Sequence, residues 1–462
     1  MVANPHNWGE SGSSKALRLC GALGKSGGWV RNFWLWGSDR PSGLAKKRLN
    51  PSLLLSPMSI LSSPSSTLHC RLTWLDQVAQ VPQSQWDALA KPLPTPFFTW
   101  DWLHNLESSG SATVESGWQP CHQVVWREEQ GQESRLVAAA PLYVKGHSYG
   151  EFVFDHQWAD LAYRLGLEYY PKLLGMSPFT PAVGYRFLMD PAEDELTLTR
   201  AMLSAIDQFC DRNRILGCHF LYVDEAWKPL LESHGYLTWM HHNSVWHNQG
   251  FQTFDDYLQM FNANQRRNIK RERKAMDTAG LVLKTFSGDE IPHHFFSEMY
   301  WFYSDHCDKF GWWGSKYLTK SFFEKLHHTF REHLLFVAAF DQQKDDRHPV
   351  GMSFCVYKGD RLYGRYWGSR RDYDCLHFNA CYYSPIDWAI DHNIQIFDPG
   401  AGGAHKKRRG FPATPHYSLH RLYDDRFRHI LAPYLARVNE IEKQEIEAIN
   451  EELPFTRPEV TI

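Results

Sequence analysis

The chain has 462 residues, with 49 Lys and Arg against 52 Asp and Glu, and a formal net charge of -3. Its 43% hydrophobic and 22% charged residues are typical of a folded protein, and its length suggests about two to four domains. The near-neutral charge gives no reason to expect a DNA-binding protein. Apolar runs such as 334–340 are too short for a membrane helix, which excludes a membrane-spanning protein.

The first 57 residues differ from the rest in charge. They carry eight Lys and Arg and two acids, a net of +6, so the remainder carries -9. The segment is rich in Gly, Ser and Trp and lacks the apolar core of a signal peptide. We interpret residues 1–66 as a disordered leader from an over-extended reading frame, with Met58 as the natural start. An organellar transit segment is the alternative.

From residue 69 onward, strand-like and helical patterns alternate. Strands are predicted at 136–144, 151–154, 219–223, 334–340, 350–358, 361–367 and 394–397. Helices are predicted at 195–210, 254–273, 291–308, 377–391 and 431–450. This order predicts an α/β fold with mixed sheets, closed by a C-terminal helix.

One segment of the chain recurs about 213 residues later. Lys145 and Gly150 have counterparts in Lys358 and Gly364, and the pair 169–170 is echoed by Tyr382 and its neighbour. The repeat predicts two duplicated α/β domains, at 69–243 and 244–430, followed by a helix and tail at 431–462. Coincidental similarity between aromatic hairpins is the alternative.

A loop rich in glycine and cations, 398–411, follows the last predicted strand. Glycines allow a ligand to approach the backbone closely, and Lys and Arg add charged donors for an anion. The carboxyl end of a strand is also where α/β proteins commonly bind ligands. The glycine spacing does not match a P-loop. A solvated turn or a basic localisation signal is the alternative.

A second basic cluster contains six Lys and Arg within nine residues, 266–274. It closes a predicted amphipathic helix, so its cations fall on a stripe. We interpret Arg266, Arg267 and Lys270 as contacts for a phosphate or another polyanion, and a solvated helix face is the alternative.

Two other chemistries are not favoured. The sequence Gly146-His147-Ser148-Tyr149-Gly150 fits the GxSxG pattern of serine hydrolases, but a strand rather than a helix is predicted after it. The 24 histidines show no four-ligand spacing, so no metal site is predicted. The nine scattered cysteines contain no CxxC pair, which predicts reduced thiols and a cytoplasmic protein.

Several motifs together resemble one family, the bacterial FemAB-like, tandem-GNAT proteins labelled as peptidoglycan biosynthesis proteins. The motifs are Phe154-Asp155-x-x-Trp158, Tyr169-Tyr170-Pro171-Lys172-Leu173, Pro178-Phe179-Thr180-Pro181, the basic helix, Tyr363-Gly364-Arg365-Tyr366-Trp367-Gly368, Leu376-His377-Phe378, Cys381-Tyr382-Tyr383 and His405-Lys406-x-x-Arg409-Gly410-Phe411. The resemblance implies two GNAT-like domains. It also implies transfer of an amino acid from aminoacyl-tRNA to an amine of a cell-wall precursor.

The sequence departs from this family at several positions. Asn379 stands where many members have Glu, and Gly402 and Ala404 stand where they have Gln and Glu. The interval 369–376 lacks the glycine pair of a GNAT pyrophosphate loop. Acyl-CoA and aminoacyl-tRNA therefore both remain as donor substrates, and no tightly bound cofactor is expected.

The residues and the resemblance together predict an N-acyltransferase or aminoacyltransferase that acts on an amine. His405 is the expected general base, with Asp398 orienting it. The expected phosphate- or carboxylate-binding residues are Arg365, Lys406, Arg409, Gly400, Gly402 and Gly403. The expected groove-lining residues are Trp158, Trp367, His377, Asn379 and Tyr382. The alternative is a non-catalytic, degenerate GNAT pair that binds tRNA, a lipid-linked precursor or a protein partner.

Overall fold

The structure is a computed structural model, and it describes residues 58–61, 69–128, 131, 133–309, 316–344 and 347–456. Most of the leader interpreted from the sequence lies outside these residues. Within it, strand β1 (Met58–Leu61) pairs antiparallel with strand β2 (His69–Leu75). The leader prediction is therefore wrong for 58–61, which adds an edge strand to the first sheet.

The remaining strands and helices of the first part alternate along the chain. Its further strands are β3 (Trp118–Pro120), β4 (His122–Glu128), β5 (Arg135–Ala140), β6 (Tyr143–Lys145), β7 (Lys172–Gly175), β8 (Leu188–Met189), β9 (Gly217–Val223) and β10 (Leu237–Ser244). Its helices are α1 (Gln83–Ala90), α2 (Trp100–Ser108), α3 (His156–Arg164), α4 (Glu195–Arg212) and α5 (Lys228–Ser233). Asp194 caps α4 by accepting hydrogen bonds from two backbone amides, which fixes where the predicted helix begins.

The second part is organised in the same way. Its strands are β11 (Trp246–His247), β12 (Leu281–Ser287), β13 (Leu334–Asp341), β14 (Gly351–Lys358), β15 (Arg361–Ser369), β16 (Ile396–Asp398) and β17 (Ala413–Leu422). Its helices are α6 (Phe254–Gln259), α7 (Ala263–Thr278), α8 (His294–Lys309), α9 (Lys320–Thr329), α10 (Leu376–Phe378), α11 (Ser384–Asp391) and α12 (Asp425–Glu451). The single helix predicted over 254–273 is two helices, because Asn262 breaks the pattern and caps α7.

The two parts share one sheet topology. In the second part the order is β12-β13-β14-β15-β16, antiparallel until β15 meets β16 in a parallel pair. The first part repeats this order, with β2 in the place of β12, β3–β4 in that of β13, β5–β6 in that of β14 and β7 in that of β15. These neighbours are antiparallel, and β7 pairs in parallel with β9, as β15 does with β16. This equivalence supports the two predicted domains through topology.

The sequence repeat aligns the ends of β6 and β14, at Lys145 and Lys358, but not the strands that follow them. The predicted strand 151–154 is an irregular turn, and the partner of β6 is β7, which begins only at Lys172. Tyr169 precedes β7, whereas Tyr382 lies in a π-helical turn (Asn379–Tyr383) after β15. The tyrosine echo is therefore not a structural correspondence.

The end of the chain returns to the first domain. Strand β17 lies between β9 and β10 in the six-stranded sheet of the first domain, although the predicted boundaries assign it to the second domain. Helix α12 begins at Asp425, earlier than predicted, and buries Leu431 and Leu435 beside Trp158. The halves also share one apolar core, in which Trp102 packs edge-on against Phe322 at 5.3 Å. The two domains are thus joined by a strand, a helix and a common core.

Among the helices of the described residues, none combines the length and apolar character needed to cross a bilayer.

Histidines form a buried cluster on β9, β17 and β10. His219 and His420 are each 1% exposed, and their Nδ1 atoms lie 2.8 Å apart, so one ring donates and the other accepts. Burial lowers the pKa of His219, His241 and His416 to about 3 and that of His420 well below its usual range. The cluster is therefore neutral in the folded protein.

We expect this cluster to make folding sensitive to acid. Because the folded-state pKa values lie below the ordinary value, the stabilisation is complete above about pH 6.5 and is lost as pH falls toward 3. Each histidine costs roughly 1.4 kcal/mol of unfolding free energy per pH unit in that window. Urea unfolding at pH 7.5, 6.5 and 5.5 measures the slope. The double variant His219→Gln/His420→Gln should flatten it, whereas the exposed control His429→Gln should leave it unchanged.

Candidate active site

The glycine-rich loop 398–411 starts at the carboxyl end of β16, beside its parallel partner β15. Gly400, Gly402 and Gly403 have φ values of 90°, 72° and 96°, a region that favours glycine. A Cβ on Gly403 would also lie 2.8 Å from His405 Cε1. These glycines shape the turn that presents His405, and the amide of Gly400 already donates to Asp398 at 2.8 Å.

His405 meets Tyr382 at this loop. The phenol oxygen of Tyr382 lies 2.8 Å from His405 Nε2. The centroid of the His377 ring lies 5.5 Å from the ring centroids of both Tyr382 and His405. Trp367 packs on His377 at 4.8 Å. A π-helical turn carries Tyr382, and such turns are frequent at functional sites. The structure therefore brings together four residues that the sequence placed in one site.

The His405–Tyr382 pair is uncharged near neutral pH. Burial lowers the pKa of His405 to about 3, and the nearby cations Arg409 and Lys406 act in the same direction. Burial raises the pKa of Tyr382 well above its usual range. The phenol hydroxyl can donate to the imidazole when the ring proton is on Nδ1. In the absence of a ligand, His405 is thus a weak proton acceptor.

Asp398 has a different partner from the one expected. Its carboxylate accepts a hydrogen bond from Arg365 at 3.2 Å rather than orienting His405. Arg365 is 3% exposed, and its guanidinium lies 5.2 Å from the ring of Phe97 in the first domain. The predicted role of Asp398 as the orienting acid is therefore wrong. Arg365 is a buried interdomain cation rather than an exposed phosphate ligand.

Lys406 also points inward. It is 1% exposed, and its ammonium donates to the carbonyl of Gly400. Burial lowers the pKa of Lys406 to about 8; Asp398 opposes this shift and Arg365 adds to it. Lys406 therefore loses its proton more readily than an ordinary lysine.

A buried ion pair holds the far end of the loop. Arg409 Nη2 donates to Glu272 Oε2 at 2.6 Å, and the Tyr383 hydroxyl donates to the same carboxylate oxygen. The guanidinium lies 3.4 Å from the ring centroid of Phe378. Arg409 was expected to bind phosphate, but its side chain is 3% exposed and engaged in the protein interior.

Glu272 is the residue that the sequence interpretation missed. It lies on α7 with Gln265, whose side chain donates to the carbonyl of Arg408 at 2.7 Å. The spacing of Gln265, Ile269, Glu272 and Met276 follows one face of a helix, and three of these four residues are buried. This helical spacing, with an acidic residue inside a basic run, could have indicated that Glu272 faces the protein interior.

The basic helix exposes a different set of cations from the one predicted. Arg266 donates to the carbonyl of Phe261 at 2.5 Å. Arg273 pairs with Asp387 at 3.0 Å. The exposed cations are Arg267, Lys270, Arg271 and Lys274. At 100° per residue they fall within about 100° of one another, so they form one outward-facing surface, which we call the cationic face.

Two expected groove residues serve other purposes. Trp158 stacks on Trp239 at 4.9 Å in the apolar cluster beneath α12, so the prediction that it lines the groove is wrong. Asn379 donates to the carbonyls of Glu272 and Cys375, both at 2.9 Å. A carboxylate could not donate these bonds, which explains how an amide fits this position.

The lysine beside the GxSxG serine does not act as its activating base. Ser148 accepts a hydrogen bond from Lys172 at 2.8 Å. Burial favours the neutral amine, but Asp155 and Glu151 outweigh it and raise the pKa of Lys172. Because this lysine stays charged, it cannot take the proton of the serine.

Replacing Glu272 with Gln tests the ion pair. A glutamine amide keeps the shape but removes the charge that binds Arg409, leaving a buried guanidinium without its counter-charge. We expect the unfolding free energy to fall by about 3 kcal/mol. Guanidinium chloride unfolding measures the loss. The exposed control Asp277→Asn, on the same helix, should stay near the wild-type value; equal values for both variants would show that the pair does not hold the loop.

We compared the chain with known protein sequences and structures. No curated protein sequence matches the chain. Among solved structures it is similar to L-PGS from Bacillus licheniformis, at 10% identity, TM-score 0.41, covering 75% of this chain and 98% of that one. FemX gives 11% identity, TM-score 0.42, and coverages of 76% and 98%. A tandem GNAT protein from the clavulanic acid biosynthesis pathway has 10% identity and a TM-score of 0.35, and the match covers 76% of this chain and 98% of that one.

The architecture is a mixed α/β fold of two parts that share one strand order, closed by a C-terminal helix, as the sequence predicted. The family match covers residues 77–457, which includes most of the first domain, all of the second and the whole of α12. This chain belongs to the FemAB-like family, described as peptidoglycan biosynthesis/recognition.

Proposed function

We propose that the protein transfers an acyl or aminoacyl group from a phosphate-bearing donor to an amine acceptor. The observation that carries this proposal is the neutral His405–Tyr382 pair, presented by a glycine-rich turn at the carboxyl end of β16. Family membership supports a role in cell-wall chemistry, and a cell-wall precursor is the acceptor we favour.

In the proposed reaction the amine attacks the acyl carbonyl and must lose a proton. His405 is half-buried and is the group we assign as proton acceptor. Its pKa is low partly because Arg409 and Lys406 are close. A donor phosphate would offset these positive charges and make the imidazole a stronger base only when the donor is bound. The proton reaches His405 Nε2 through the Tyr382 hydroxyl, which donates to that nitrogen, and it is returned to the oxygen or sulfur that leaves when the acyl bond of the donor breaks.

Substitutions at the pair test this assignment. His405→Gln should lower kcat by on the order of 10²- to 10⁴-fold, as expected for a lost proton acceptor. Single-turnover transfer from radiolabelled aminoacyl-tRNA and acyl-CoA to amine acceptors is the measurement. His392→Gln, which replaces an exposed histidine at the end of α11, is the matched control. Wild-type rates in His405→Gln would exclude His405 as the base.

The dependence on pH provides a second test. Removing the cation with Lys406→Met should raise the pKa of His405, because one of the charges that lowers it is gone. His405 must be neutral to accept a proton, so the variant should lose activity relative to wild type as pH falls from 7 to 5. The variant-to-wild-type ratio of kcat/KM measures this and cancels ionisation of the acceptor. Lys407→Met is the control, because Lys407 pairs with Glu452 at the surface.

The cationic face favours aminoacyl-tRNA over acyl-CoA as the donor. Its cations run from Arg267 to Lys274, so they span roughly 10 Å along the helix axis. A row of this length matches several successive phosphates of a nucleic acid backbone better than one compact pyrophosphate.

Salt dependence of tRNA binding tests the donor assignment. In Lys270→Gln/Lys274→Gln, the slope of log Kd against log salt should fall by about 0.7–0.9 per lost phosphate contact. Fluorescence anisotropy with labelled tRNA measures it. The charge-matched control Lys284→Gln/Lys320→Gln should keep the wild-type slope. A common slope for all three proteins would remove the cationic face from the donor site.

A non-catalytic binding protein is the second candidate. The observation that favours it is the burial of Lys406, Arg409 and Arg365, which are engaged by their own protein rather than turned toward a ligand. Tight tRNA binding without transfer of the label to any amine would support this candidate over the transferase.

A further inference from the structure

A group of metal-binding side chains lies at the start of helix α8, outside the candidate active site. It consists of His294 and Glu298 on the helix and His348 in the segment before β14. One potential ligand atom from each residue lies within 4.8 Å of the other two. His294 and Glu298 are four residues apart, so the helix places their side chains on one face.

The Glu298 carboxylate is only half used by the protein. Its Oε1 atom lies 2.6 Å from His348 Nδ1. Its Oε2 atom is buried and has no hydrogen-bond partner among the described residues. A buried carboxylate oxygen without a partner is costly, and a bound cation would satisfy it. The rings of His294 and His348 lie 5.5 Å apart and flank this carboxylate.

We propose that His294, Glu298 and His348 bind a divalent transition metal of the zinc class. Two imidazoles and one carboxylate are a donor set used for zinc, with the fourth position left to water. The carboxylate offsets part of the charge of the cation, which three imidazoles alone would not do. Metal binding would require a small rotation of the His294 side chain, because its Nε2 atom now lies 2.9 Å from the carbonyl of Arg347. The positive end of the helix dipole also opposes a cation at the start of α8, and the Glu298 carboxylate would have to offset this effect.

A second histidine group nearby is the obvious competitor. His293, His327 and His328 also place ligand atoms within 4.8 Å of one another. This group contains no carboxylate, Arg331 adds positive charge beside His327, and two of its ligands are adjacent in sequence. Adjacent helical side chains point in different directions, which makes joint coordination unfavourable. We therefore assign the metal to the group that contains Glu298.

Metal binding at this site would stabilise the position of α8 and would not take part in acyl-group transfer. Helix α8 has 16 residues and is therefore about 24 Å long. His306, near its other end, contacts Trp367 of the candidate active site at 5.9 Å. A metal bound at the start of α8 would join it to the connection between β13 and β14, far from His405. The proposal therefore does not rest on the proposed function.

Calorimetric titration of the chelator-treated, full-length protein with zinc chloride tests the site. We expect one equivalent of Zn²⁺ to bind, and both Glu298→Gln and His348→Gln to weaken binding by about tenfold or more. His348 has 58% of its side chain exposed, so its replacement should not disturb folding. His328→Gln, in the competing group, should bind as wild type does.

Two outcomes would overturn the proposal. One is the absence of zinc binding by the wild-type protein. The other is zinc binding that is equally tight in Glu298→Gln and in the wild-type protein. That result would assign the metal to another site, whatever the effect of His328→Gln. Cobalt substitution gives an independent readout, because the visible absorption of Co²⁺ reports its coordination. The wild-type spectrum should indicate coordination by nitrogen, and it should change in His348→Gln while circular dichroism shows an unaltered fold.

Discussion

The candidate site depends on one partly buried carboxylate. Glu272 binds Arg409 from the loop and Tyr383 from the π-helical turn, and so joins both to the basic helix. Tyr382 directly precedes Tyr383, and the guanidinium of Arg409 also donates to the carbonyl of His405 at 2.9 Å. A buried ion pair is poor evidence of net stability, but it specifies geometry, since any other arrangement leaves an unpaired charge in the interior. His405 and Tyr382 are therefore aligned by an interaction that neither of them makes.

This constraint also divides the basic helix into two faces with different tasks. The inner face supplies Glu272 and Gln265 to the loop, while the outer face carries the exposed cations. A polyanion bound outside would therefore contact the same helix that positions His405. Donor binding and alignment of the site share a rigid element about 24 Å long, and no separate conformational device is needed to connect them.

What could be predicted from the sequence was local. Helix α4, strand β9 and the strands β13 to β16 follow from hydrophobic period and turn residues, and the 398–411 loop from its composition. Strand β17 could not be placed, because its partners β9 and β10 are about 170 to 200 residues away and no local pattern encodes that pairing. The roles predicted for Trp158 and Asp398 were wrong for the same reason. Residue type suggested each role, but tertiary packing places Trp158 against Trp239 and Asp398 against Arg365.

The charge balance of the interior gives the site its chemical bias. Three cations, Arg365, Lys406 and Arg409, are buried around two carboxylates, Asp398 and Glu272. Burial favours proton loss from His405, and the positive charges of Arg409 and Lys406 add to this effect. An anionic ligand would remove that excess and reverse the bias, strengthening the base at the moment of binding. The overall charge of -3 hides this local surplus, which would favour the proposed phosphate-bearing donor over a neutral one.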